Sequence, residues 1–275
     1  MKYFLLFCWI IGICTSIFSQ NRQRINDEKF SSSLVKKIAI ASESTDYVIT
    51  GHNDTVVVVS ITAITNTPKK MDELQKNYKI VTDLQNETLR IETYTGDAKG
   101  SFLVEVYVPQ NIPLDISTQS SEMIIQKTHN DMVITHHSKD IQMKEIRGGK
   151  IHVNSKNGDI RVKNSAGDFQ LNTNKSIEAE ILDGQLTSIS GGHQTISIAK
   201  SIPVMCNTQT GNIKIRIPSN AQYDCRLISD IPLKLELNQV LFEGSINLKT
   251  MTGKLNQGTT PFKLVANKGG IWLSN

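Results

Sequence analysis

The chain has 275 residues, with 30 Lys and Arg against 26 Asp and Glu, a formal net charge of +4 and a pI near 8.8. Its 39% apolar and 20% charged content excludes a disordered, collagen-like or multi-span membrane chain and leaves a globular one long enough for a sizeable core. Like charges never run together in a long block, so neither a nucleic-acid-binding arm nor an acidic tail is indicated.

Lys2 precedes an apolar run from Tyr3 to Phe18 that ends at Ser19 and Gln20. This pattern predicts a secretory signal peptide over 1–19, cleaved after Ser19, because the run is shorter than the roughly 20 residues a spanning helix needs. The bulk of Ile17 and the charges of Arg22 and Arg24 leave a retained anchor as the alternative. Cys14 raises a lipoprotein reading, against which Ile13 stands where a small residue is usual. Export would place the protein in the periplasm, at the outer cell surface or outside the cell. Cleavage removes Cys8 and Cys14 and leaves Cys206 and Cys225 in an oxidising compartment.

Residues 20–110 predict a β-rich region with strands at Leu34–Ala41, Tyr47–Thr50, Val56–Ile64, Lys79–Thr82, Thr88–Tyr94 and Phe102–Val108. One short helix is expected between them, capped by Thr67, opened by Pro68 and placing Met71, Leu74 and Tyr78 on one face. No Gly/Ser/Pro linker follows, so this region is expected to run continuously into the next.

Over 111–275 the dominant signal is an internal repeat. Short alternating segments begin at Leu114, Met123, Met132, Ile141, Ile151, Ile160, Phe169, Ile177, Leu186, Ile196, Val204 and Ile213, spaced by eight to ten residues. Within each, apolar residues recur at every second position, as in Ile160 and Val162 against Arg161 and Lys163, which predicts half-buried strands. The breaks are turn sequences such as Asn157-Gly158-Asp159, Ala166-Gly167-Asp168, Asp183-Gly184 and Thr210-Gly211-Asn212. Strands this short cannot bury their apolar faces alone, and the spacing leaves no room for helical crossovers, so stacked coils follow. The expectation is an all-β, right-handed parallel solenoid of about 18 residues and two strands per coil, with an antiparallel meander or sandwich as the alternative. One inward ladder is then Met132, Ile151, Phe169, Leu186 and Val204, and the other Ile141, Ile160, Ile177, Ile196 and Ile213. Beyond Pro218 the period loosens, as expected of atypical terminal coils.

The Gly158-Asp159-Ile160, Gly167-Asp168-Phe169 and Thr210-Gly211-Asn212-Ile213 units, with Val108-Pro109 and Ile217-Pro218 about the coils, carry a family likeness. The chain resembles the bacterial secreted β-solenoid families grouped as adhesin-like or head-domain adhesin proteins of unknown function. The resemblance covers most of 30–275 and implies an exported, surface-related or periplasmic β-solenoid, with no established catalytic residues to carry over.

The residues themselves support no catalytic, cofactor or metal site. Asp159 and Asp168 lack the upstream glycines of calcium-binding β-rolls, and Lys150 falls between Asp131 and Asp168 in the aligned turns. His129, His136, His137 and His152 match no ligand spacing and are expected on the surface. Cys206 and Cys225 lie nineteen residues apart with the same inward parity, so stacking on neighbouring rungs is expected, either as a disulfide or as two buried thiols. A polysaccharide lyase or hydrolase is the alternative function, for which Asp140 with Asp159 and Glu178 with Glu180 are the carboxylate groupings. The leading expectation is a binding or structural protein whose regular outward face meets a glycan, protein or surface partner, or a second copy of the chain, and no nucleic acid.

Overall fold

The computed structural model describes residues 21–65, 79–94 and 101–275, in 23 strands and no helix. The signal peptide expected at 1–19 and the helix expected over 67–78 lie outside the described residues.

The first third contributes β1 (Asn21–Ser31), β2 (Lys37–Ser42), β3 (Asp46–His52), β4 (Val56–Thr65), β5 (Lys79–Gln85), β6 (Thr88–Tyr94) and β7 (Ser101–Pro109). The repeat region follows as β8 (Leu114–Ser120), β9 (Met123–Gln126), β10 (Met132–Ser138), β11 (Ile141–Lys144), β12 (Arg147–Asn157), β13 (Ile160–Thr173), β14 (Ile177–Ser190), β15 (Gln194–Ile198), β16 (Val204–Thr208) and β17 (Ile213–Arg216). The chain ends with β18 (Tyr223–Ser229), β19 (Lys234–Glu236), β20 (Phe242–Ile246), β21 (Thr250–Leu255), β22 (Thr260–Ala266) and β23 (Ile271–Ser274).

The repeat strands pair in parallel as two stacks, and one strand from each stack makes a rung of a solenoid-like body. In the first stack Leu114, Met132, Ile151, Phe169, Leu186 and Val204 stand opposite one another in succession, as the alternation requires. All are buried, and burying each such side chain is worth roughly 1.5–3 kcal/mol. In the second stack the succession is Met123, Ile141, Ile160, Ile177, Gln194 and Ile213. Gln194 thus takes the place expected of Ile196, which pairs one step on with Ala179 and Ile215. The buried amide is satisfied: its Oε1 accepts from Ser188 Oγ (2.6 Å), and its Nε2 donates to Ser190 Oγ (3.1 Å) and the Asn207 carbonyl (2.7 Å).

The strands are less uniform than expected, since β13 and β14 each run for 14 residues from the second stack round a corner into the first. Gly184 makes one such corner, at a φ of +103°, where a Cβ would lie 2.1 Å from the Gly167 carbonyl oxygen.

A buried polar column closes the first stack. Thr93, Ser42, Thr118, His136, Ser155, Thr173, Ser190 and Thr208 occupy the last inward position of successive strands. Here the chain turns toward the second stack, and its turn backbone needs partners. Ser155 Oγ accepts from Gly158 N–H (3.2 Å), Thr173 Oγ1 donates to the Gly158 carbonyl (2.7 Å), and Ser190 Oγ donates to the Gly192 carbonyl (2.8 Å).

The expectation of a single parallel coil fails at both ends. Among the terminal elements β1 and β7 flank β4 antiparallel, β5 pairs antiparallel with β6, and β21 pairs antiparallel with β18 and β20. Rung order also departs from chain order. The last strands, β22 and β23, lie between the β16–β17 rung and the β18–β19 rung, bonded in parallel to both. At the other end β2–β3 is held in the same way between β6–β7 and β8–β9.

Candidate binding faces

Each rung turns alternate side chains outward, so each stack presents columns of them about 4.8 Å apart. On the first stack Val133, His152, Gln170, Thr187 and Met205 form the expected column, extended by Lys263 and Arg226. Beside it Ser117, Thr135, Asn154 and Asn172 line a polar groove with His137 and Lys156. On the second stack the column is Gln142, Arg161, Glu178, Thr195, Lys214, Trp272 and Lys234, with Thr195 in the place expected of Ser197 because of the step at Gln194.

The carboxylates that could have supported hydrolysis are engaged in holding rungs together. Asp140 Oδ1 accepts from Asp159 N–H (3.1 Å) and Asp159 Oδ1 from Ser176 N–H (3.1 Å), while their second oxygens take Arg161 at 2.8 Å and 3.2 Å. The same device recurs along this corner: Asp46 Oδ1 accepts from Glu122 N–H, His193 Nδ1 from Asn212 N–H and Asn212 Oδ1 from Gly270 N–H. Glycine precedes the Asp because the turns stack closely. A Cβ on Gly158 would meet the Lys139 carbonyl oxygen at 1.5 Å. The Gly158-Asp159 unit is therefore a joint between rungs. Glu180 accepts from Asn164 N–H (3.3 Å), and Glu178 lies 3.7 Å from Lys163 Nζ. Among the described residues no three His, Cys, Asp or Glu are placed to hold a metal ion.

The histidines divide. His129, His137 and His152 are exposed as expected, but His136 is buried in the hydroxyl column. Its Nε2 lies 3.1 Å from the Lys139 carbonyl, which can only accept, so Nε2 carries the proton and Nδ1 accepts from Thr118 Oγ1 at 2.6 Å. Burial holds its pKa below the ordinary histidine value.

Cys206 and Cys225 are free and buried, and burial pushes both thiols up to about 12. They are not on neighbouring rungs. Cys206 stands opposite Leu264 and Cys225 opposite Phe262, both on the intervening β22. Two strand steps of about 4.8 Å put their backbones about 10 Å apart, beyond the span of roughly 7 Å that a disulfide bridges.

A groove of about 470 Å³ lies on the second stack near the C-terminal end. Thr195, Lys214, Arg216, Lys234, Glu236, Trp272 and Ser274 line it. β23 brings Trp272 here by intercalating beside Lys214, whose Nζ lies 5.1 Å from the indole centroid. Aromatic residues make up only 6% of the chain, and a single Trp near its end carries no sign in the sequence that it joins strands ending at residue 216 and beginning at 234.

Comparison with known proteins places this architecture. Residues 35–270 match the Toastrack DUF4097 family. The chain belongs to that family. Among solved structures, a "putative adhesin" from Parabacteroides merdae is 13% identical, with 91% of this chain and 96% of that chain covered and a TM-score of 0.42. A "putative adhesin" from Bacteroides fragilis is 12% identical over 91% and 97%, with a TM-score of 0.32. A "putative lipid binding protein" from Parabacteroides distasonis is 10% identical over 93% and 97%, with a TM-score of 0.32. No curated protein matches the chain. No helix among the described residues is long and apolar enough to cross a membrane.

Proposed function

We propose that this Toastrack protein is an exported, non-catalytic scaffold that works as an adhesin-like binding protein, engaging acidic polysaccharide through the groove at Trp272. In this reading residues 1–19 are a cleaved leader, and 20–110 and 111–275 form one continuous body whose parallel central rungs wind right-handed at about 18 residues per coil. The observation that carries it is the groove itself. An indole offers an apolar surface to a sugar ring, while Lys214 and Arg216 offer ion pairs to uronate or sulfate groups, Lys234 being paired with Glu236 at 2.8 Å. The carboxylates of the repeat are committed to rung joints, which favours binding over hydrolysis.

Trp9 lies in the leader, so Trp272 is the sole tryptophan of the mature chain and reports on the groove directly. Titration of mature protein with polygalacturonate should shift Trp272 fluorescence saturably, neutral dextran should not, and Lys214→Ala with Arg216→Ala should weaken the response about tenfold or more. No fluorescence response to acidic polymer, or release of new reducing or unsaturated ends from it, would contradict the reading. A mature N-terminus other than Gln20 would overturn the leader boundary.

A further inference from the structure

We infer that the C-terminal end of the stack is an interface for a second copy of this chain, formed by two-fold antiparallel pairing of β19 with its own equivalent. β19 is the outermost rung of the second stack. It pairs with β23 on one side, and among the described residues no strand pairs with its other side. Glu236 turns its carbonyl toward β23, accepting from Asn275 N–H at 3.3 Å, whereas Leu233 turns its N–H away, donating to the Leu248 carbonyl at 2.7 Å. Backbone groups alternate along a strand, so Leu235 directs its N–H and C=O to the open edge beyond the Leu248 turn.

The edge sequence is complementary to itself. When Leu233-Lys234-Leu235-Glu236-Leu237 runs antiparallel to a second copy about Leu235, each Leu235 bonds the other through its backbone. Each Lys234, which in one copy lies 2.8 Å from its own Glu236, then also meets the Glu236 of the other copy, while the Leu248 turn caps Leu233 and leaves the join centred on Leu235. The side chains suit such a join. Leu233, Leu235 and Leu237 pack on the core from one side but stay partly exposed for want of a further rung, and the Lys234–Glu236 ion pair is open to a second copy, its side chains 60% and 59% exposed. A second copy supplies the missing rung and turns a bare edge into a continuous sheet. The adjoining connections add apolar surface, with Ile231, Leu241, Ile246 and Leu248 between 44% and 75% exposed. At the opposite end β5 covers β6 and β4 covers β7, and β1, bonded to β4, carries Arg22, Arg24, Asp27, Glu28 and Lys29 rather than a self-complementary apolar strand.

Sedimentation velocity on the mature chain tests the pairing without any ligand, so its outcome is separate from that of the groove. The wild-type chain should form a concentration-dependent dimer. Lys234→Glu sets Glu against Glu and Glu236→Lys sets Lys against Lys across the two-fold, so each variant should weaken the dimer about tenfold or more while melting like wild type. Carrying both reversals in one chain should restore the dimer. Mixing the two single variants should also produce a heterodimer, because each then supplies the charge the other lacks, a result no effect within one chain can mimic. A wild-type chain that stays monomeric at high concentration, single variants that dimerise as wild type does, or a mixture that stays monomeric would each overturn the proposal.

Discussion

The central rungs and the C-terminal rungs are built from the same kind of strand, yet only the central ones stack in chain order. From β8 to β17 each strand pairs with the next of its stack, so Met132, Ile151, Phe169 and Leu186 follow one another in space as in sequence. From β18 onward the order inverts: β18–β19 goes outermost and β22–β23 returns to fill the gap. Alternating apolar residues decide which face of a strand is buried. They do not decide which rung the strand occupies, because any such strand fits any open rung of a parallel stack.

The largest expected effect breaks the contrast outright. Deleting 259–275 removes buried Phe262, Leu264, Ile271 and Leu273 and leaves β16–β17 and β18–β19 with no rung between them, so cooperative thermal unfolding should vanish. Deleting 21–31, an edge strand with mostly exposed side chains, should leave a cooperative transition. If the two deletions behave alike, intercalation is not what secures the end.

A smaller effect separates packing from order. Phe262→Ala removes a ring packed 4.5 Å from the Tyr223 ring and should cost about 3–5 kcal/mol by chemical denaturation. Ile160→Ala in the central ladder should cost about 2–5 kcal/mol. A cost below about 1 kcal/mol at Phe262 would mean that β22 is not held between two rungs.

His136 sharpens the account of the hydroxyl column through pH. The folded pKa is depressed, so stability is fully present above the unfolded value of about 6.5 and is lost as pH falls from there through the folded value. His136→Thr, which restores the residue type of its neighbours, should flatten this part of the stability profile. An unchanged profile would assign the acid sensitivity elsewhere.

The cysteines give the smallest signal and a direct reading of rung order. With β22 between them, Cys206 and Cys225 should remain thiols, and intact mass should be the same before and after reduction. A gain of two hydrogens on reduction would place β16 beside β18.

Much of the fold was legible because burial and alternation are local. Ile160-Arg161-Val162-Lys163 declares its inward face with no neighbour in view, and the first-stack ladder follows from spacing alone. Other features were not. Gln194 breaks the apolar column, so periodicity slid to Ile196, and only Ser188 and the Asn207 carbonyl explain the amide. β1 shows no alternation because its side chains are mostly exposed at an edge. Ser155, Thr173, Ser190 and Thr208 are polar, and only their inward parity marks them as buried partners for the corners. The groove was illegible for the same reason as the end order, since Trp272 meets Lys214 only through the intercalation of β23.

Rung order is open to one direct measurement: pulsed electron spin resonance distances from a spin label at exposed Val133 to labels at Met205, Lys263 and Arg226 in turn, all on one outward column. Counting strand steps of about 4.8 Å, the separations should be about 19, 24 and 29 Å, so Lys263 is nearer than Arg226 although it comes later in the chain. An Arg226 label nearer to Val133 than the Lys263 label would contradict the intercalated end.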